Sequence, residues 1–88
     1  MLKVSWHSRY EKALKKIKKQ GKDTEKLKSM IRLLSENKPL APRYKNHKLK
    51  GDYSDHWECH IEPDWLLVYQ KNSTEIFLVT MGTHSELF

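Results

Sequence analysis

The apolar positions change period along the chain, and the order of those changes predicts an architecture. Leu2 and Val4 alternate with Lys3 and Ser5, the two-residue period of a short strand. Ser5 is then placed to cap a helix whose apolar stripe is Trp6, Tyr10, Leu14 and Ile17. Gly21 ends that helix, as glycine commonly does just past a C-terminus. Asp23 or Thr24 caps a second helix, with Leu27, Met30, Ile31 and Leu34 on one face and Pro39 as its stop. So short a link between two amphipathic helices predicts a helical hairpin. Residues 39–47 carry two prolines and read as a loop of the length that often bears function. Segments 48–52, 56–62, 65–71 and 75–81 read as four strands joined by short turns. In the second, Trp57, Cys59 and Ile61 alternate with His56, Glu58, His60 and Glu62, so one face is apolar and the other ionisable. Trp65 to Tyr69 is nearly all apolar, as a central strand covered on both faces should be. Asn72-Ser73-Thr74 forms a turn, and Gly82 breaks the last strand. The expected fold is α+β, in the order β-α-α-β-β-β-β, with the hairpin packed on one face of a mainly antiparallel sheet.

Composition narrows the classes. The chain has 88 residues, enough for one small domain spanning 1–88 with a thin core. Cys59 is the only cysteine, so no internal disulfide can form and a reducing compartment, the cytoplasm, is expected. No apolar leader follows the N-terminal basic residue, and no apolar run is long enough to span a bilayer, so no membrane partner is expected. Net charge is +6, unevenly placed. Residues 1–38 hold twelve Lys/Arg against four Asp/Glu, net +8; residues 39–88 hold five against seven, net −2. A basic half of this kind suits a polyanion or a strongly acidic protein, against the plainer reading of a solvated lysine-rich helix face.

The candidate chemistry lies in the other half. Antiparallel strands reverse direction at each turn, so alternate turns share one end of the sheet. His47 precedes the first of the four strands, His60 ends the second, Asp64 opens the third and His84 follows the fourth, which brings all four residues to that end. His7 falls in the first turn of helix one and reads as a surface residue, and His56 lies at the opposite end of its strand from His60. A metal site is poorly supported: Pro63 separates His60 from Asp64, and neither a Cys-x-x-Cys nor a His-Glu-x-x-His pattern is present. Neither metal nor cofactor is therefore expected. Cys59 points inward by alternation, and a thiol buried among apolar groups is inert. Metal-free acid–base catalysis is the remaining chemistry. Imidazole titrates near neutrality, so one histidine can take a proton while another gives one. Cleavage at ribose needs such a pair, one group for the 2′-hydroxyl proton and one for the leaving 5′-oxygen. With a basic helix beside it, this set points to RNA.

The segments Asn-His (46–47), Leu-Lys-Gly (49–51), Cys-His-Ile-Glu-Pro-Asp-Trp (59–65), Leu-Val-Tyr (67–69) and Gly-Thr-His-Ser-Glu-Leu-Phe (82–88) resemble the YafQ branch of the RelE/ParE toxin superfamily. The likeness covers essentially the whole chain. It implies a RelE-like fold and a ribosome-dependent mRNA endonuclease, the toxin of a bacterial type II toxin–antitoxin pair. It implies catalytic roles for His47, His60, Asp64 and His84, and substrate contacts for Trp65 and Phe88. His84 is then expected to be the general acid, and His47, or Asp64 acting with His60, the base. Lys15, Lys16, Lys18 and Lys19 are expected to meet ribosomal RNA phosphates. The implied partners are an acidic antitoxin, the ribosome and its mRNA, with DNA reached only through the antitoxin complex. Two other readings compete: an inhibitory binder without nuclease activity, as ParE-like relatives are for gyrase, and a nucleic-acid-binding regulator.

Overall fold

The computed structural model describes all residues, Met1–Phe88. The elements are β1 (Lys3–Trp6), α1 (Ser8–Lys19), α2 (Thr24–Ser35), β2 (His47–Lys48), β3 (Trp57–Glu62), β4 (Trp65–Lys71), β5 (Glu75–Gly82) and α3 (His84–Leu87). Two 3₁₀ turns, Pro42–Tyr44 and Gly51–Tyr53, flank β2. The strands form one sheet in the order β1-β5-β4-β3-β2. β1 runs parallel to β5 and every other pair is antiparallel, as the expected mainly antiparallel sheet requires. No helix is long and apolar enough to cross a membrane.

The helices end where local chemistry says they should. Asp23 caps α2 by accepting the Glu25 N–H at 3.0 Å. Gly21, at φ +74°, follows α1; Lys22 N–H reaches the Ile17 carbonyl and Gly21 N–H the Lys18 carbonyl, which satisfies two otherwise unpaired helix carbonyls. Asn37, at φ +55°, turns the chain out of α2 two residues before Pro39, so the stop comes earlier than the proline.

The start of α1 differs from expectation. Ser5 and Trp6 remain in β1, because their ladder partners on β5, Phe77 and Leu78, continue the pairing. The Ser5 hydroxyl donates to Glu75 at 3.0 Å. His7 is the N-cap instead, its Nδ1 accepting the Arg9 N–H at 3.0 Å. Trp6 therefore leaves the helical stripe and is half exposed, its indole N–H on Glu11. The expected strand 48–52 also shrinks. Gly51, at φ +70°, turns the backbone out of extended conformation, so pairing with β3 stops after Lys48. At the other end, β5 runs on through Gly82, and α3, which the apolar pattern did not announce, follows it.

Tyr10 and Ile17 of α1 and Leu27, Met30 and Leu34 of α2 are buried against Cys59, Ile61, Trp65, Leu67, Tyr69, Ile76, Leu78 and Met81 on one face of the sheet. Side chains alternate across a strand, so Glu58, His60, Leu66 and Thr80 point to the opposite face. Leu66, Val68 and Thr80 are buried there too, which makes β4 covered on both faces. This second face carries the chemistry.

Candidate active site

The β2–β3 register sets His47 opposite Glu58, and His60 follows two residues later on the same face. The Glu58 carboxylate lies between the two imidazoles: its Oε1 is 3.6 Å from His47 Nε2 and 3.3 Å from His60 Nε2. Glu58 is 4% exposed. Each ring is held by its other nitrogen. His47 Nδ1 is 2.6 Å from the Lys45 carbonyl oxygen, and His60 Nδ1 is 3.1 Å from that of Pro63. A carbonyl only accepts, so both Nδ1 atoms donate. In a neutral imidazole the second nitrogen is then an acceptor. The loop before His47 is anchored as well: the Tyr69 hydroxyl donates to Asn46 Oδ1 at 2.5 Å, and Lys45 takes a left-handed turn at φ +45°.

The second group is built at the β5 exit. Thr83 caps α3, its hydroxyl accepting the Glu86 N–H at 3.2 Å while Glu86 Oε1 accepts the Thr83 N–H at 2.8 Å. Asp64, in the turn between β3 and β4, accepts the His84 backbone N–H through Oδ1 at 3.0 Å. The carboxylate thus sits on the N-terminus of the short helix that carries His84. Glu86 also pairs with Lys16 of α1. That hydrogen bond, followed by the Thr83 backbone bond, pulls the Glu86 carboxyl down to about 2. Gly82 makes the fold-back feasible, since a Cβ there would stand 3.2 Å from Glu86 Oε1 and 3.4 Å from the Leu87 methyl. The Phe88 ring lies 5.4 Å from that of His84.

His60, Leu66 and Gly82 occupy one row across β3, β4 and β5. The backbones of His60 and Gly82 are therefore two strand spacings apart, about 10 Å. His60, Asp64 and His84 reach one end of the sheet, whereas His47, opposite Glu58, stands two residues further in; the residues group as His47 with His60 and Asp64 with His84. Asp64 is bonded to the His84 backbone and not to His60. Beside His60 a groove of about 660 Å³ opens between α2 and the Pro42–Tyr44 turn, lined by Met30, Arg43, Tyr44 and Lys45 among others.

Other candidates fall elsewhere. Trp65 is 1% exposed in the helix-side core, with the Lys22 ammonium 5.6 Å from its ring centroid. A ring so enclosed offers no face to a substrate; its position in β4, interior on both faces, overrides that expectation. Phe88 is half exposed. Lys15, Lys18 and Lys19 are exposed along α1, whereas Lys16 is engaged by Glu86. Cys59 is fully buried, and burial, with the Glu58 carboxylate next in effect, pushes its thiol up to about 12. Three participants were not singled out from sequence. Glu58 was legible, because it shares the strand face of His60. Glu86 was legible as the partner in the Thr83-His84-Ser85-Glu86 capping spacing. Tyr53 gave no signal, because it falls in the short link between the expected strands 48–52 and 56–62.

A protein named mRNA interferase toxin YafQ from Escherichia coli K12 is 36% identical over 86 residues, 97% of this chain and 94% of that protein. Among solved structures, a copper-bound mutant toxin from Helicobacter pylori matches with a TM-score of 0.95 and 39% identity over the full length of both chains. The toxin in the E. coli DinJ-YafQ toxin–antitoxin complex matches with a TM-score of 0.92 and 35% identity, over 99% of this chain and 97% of that one. The family model for bacterial toxins of type II toxin–antitoxin systems, YafQ, matches residues 2–88, and this chain belongs to that family.

Proposed function

We propose that this protein is the mRNA interferase of a type II toxin–antitoxin pair, an endoribonuclease that cuts mRNA held in the ribosomal A site. The observation that carries the mechanism is the pairing of two groups across one end of the sheet: a buried carboxylate between two imidazoles, and a third imidazole at a capped helix start. The first group takes the 2′-hydroxyl proton. The 2′-oxygen attacks phosphorus, the bond from phosphorus to the 5′-oxygen breaks, and His84 donates a proton to that leaving oxygen. The product is a 2′,3′-cyclic phosphate, which water opens to a 3′-phosphate. His47 and His60, with Glu58 between them, supply the base and a cationic face to the phosphate. Asp64 positions His84 through the backbone of α3. Phe88, half exposed beside His84, offers a ring on which a base stacks.

Lys15, Lys18 and Lys19 provide the contacts to ribosomal RNA phosphates. The net +8 of residues 1–38 suits an acidic antitoxin that folds on the toxin, and DNA is reached only through that complex. The place of action is the cytoplasm, where mRNA is translated. A gyrase-blocking binder has no use for imidazoles held in this way. The test is primer extension on mRNA after the purified protein is added to programmed ribosomes. Discrete cuts are expected with the wild type, and a loss of about 10²–10⁴-fold in a folded His84→Ala protein. Equal cutting by the two proteins, or none by the wild type, overturns the reading.

A further inference from the structure

The Phe88 ring would be a poor tool without something to hold it. It follows a four-residue helix, too short to persist through its own hydrogen bonds. Its ring is nevertheless placed against Tyr53, with centroids 5.6 Å apart and planes at 77°. Tyr53 in turn meets His56 edge-on at 5.4 Å and 86°. Four rings therefore run in series, His56, Tyr53, Phe88 and His84, from the start of β3 to the catalytic end.

Tyr53 itself is fixed. It lies in the turn that begins at Gly51, φ +70°; His56 N–H donates to the Tyr53 carbonyl at 2.9 Å and Leu49 N–H to the His56 carbonyl at 2.9 Å. This turn is the segment where an extended strand would have carried the side chain past the site. We propose that Tyr53 is a positioning residue for the His84–Phe88 unit. Its ring is the edge-to-face partner that orders the Phe88 ring, and through it the imidazole of His84. The proposal rests on the reading of His84 as a participant in RNA cleavage. The hydroxyl of Tyr53 has no part in it; the ring has.

The test uses full-length protein with fluorophenylalanine at position 88, and single-turnover cleavage on programmed ribosomes. Tyr53→Ala should move the Phe88 fluorine signal toward its solvent position and narrow it. It should lower the cleavage rate by about 2- to 13-fold, the range an aromatic pair supplies. Tyr53→Phe should restore both. Tyr53→Leu keeps the volume of the site filled and should leave the fluorine signal displaced even if Tyr53→Ala folds poorly. In a His84→Ala background, Tyr53→Ala should cost less than it does in the wild type, a non-additivity that a merely structural role does not produce. An unmoved Phe88 signal, additive losses, or a Tyr53→Phe protein as impaired as Tyr53→Ala overturns the proposal. If the wild type cleaves no RNA, the functional reading fails separately, and the fluorine signal still decides whether Tyr53 orders Phe88.

Discussion

Replacing Asp64 with Asn separates two roles for one carboxylate. The Asp64 oxygen accepts the His84 backbone N–H at 3.0 Å and touches the start of α3. An asparagine amide oxygen can accept the same bond, so Asp64→Asn removes the charge and keeps the geometry. A charge near a helix N-terminus is worth about 0.3–1 kcal/mol, which corresponds to a rate loss of about 2- to 5-fold if α3 must be docked for cleavage. Asp64→Ala removes the bond as well. A hydrogen bond to a charged group contributes about 1.5–3 kcal/mol, so the loss should grow to about 10- to 150-fold. Were Asp64 the general base, both substitutions would cost about 10²–10⁴-fold. The assay is single-turnover cleavage on programmed ribosomes, paired with hydrogen exchange at the His84 amide. Positioning predicts that rate and amide protection fall together, Asn mildly and Ala strongly. An Asn variant as inactive as the Ala variant, with the His84 amide still protected, would refute the reasoning and make Asp64 a proton acceptor.

Three further outcomes follow from the same geometry. Changing Lys15, Lys18 and Lys19 to Gln should weaken ribosome binding and flatten its salt dependence, since each lost phosphate contact reduces the slope of log affinity against log salt; an unchanged slope would mean this face is only solvated. The Glu86 carboxyl is held below its unfolded value by Lys16, so its stabilisation is present above about pH 5 and fades as pH falls toward 2. The pair is solvent-exposed and worth less than about 1 kcal/mol, so the melting difference between wild type and Glu86→Gln should be small and vanish on acidification; a difference constant with pH would contradict the pairing. Iodoacetamide should leave Cys59 unmodified in the folded protein near neutral pH, because burial holds the thiol protonated, and rapid alkylation there would show that β3 opens.

Much of this was legible in the chain. The alternation of Trp57, Cys59 and Ile61 against Glu58 and His60 separates the core face from the chemical face in β3; Cys59 and Ile61 are buried as it requires, while Glu58 is buried on the other face. Turn-by-turn reversal places His60, Asp64 and His84 at one end, because that argument needs only antiparallel connectivity, whereas the β2 register leaves His47 two residues further in, opposite Glu58. What local pattern could not give was pairing between distant segments. Trp6 has helical spacing with Tyr10, yet the parallel ladder to Leu78 holds it in β1. Residues 48–52 read as a strand, yet Gly51 turns left-handed and the chain brings Tyr53 beside Phe88. Side-chain partnership was the least legible level. Nothing in the spacing of Asp64 and His60 says that the carboxylate chooses the His84 backbone, or that Lys16 is taken by Glu86 while its neighbours remain free.

The central claim is that the 2′-oxygen of the RNA is the nucleophile and the protein's imidazoles move the protons. The most direct measurement places a single 2′-deoxynucleotide at the mapped cleavage position of an mRNA in the ribosomal A site and follows cleavage by the wild-type protein. The account predicts no cut at that position, while the all-ribose mRNA yields a fragment ending in a 2′,3′-cyclic or 3′-phosphate. Cleavage of the deoxy-substituted message at the same bond would contradict it, because the attacking oxygen would then come from water.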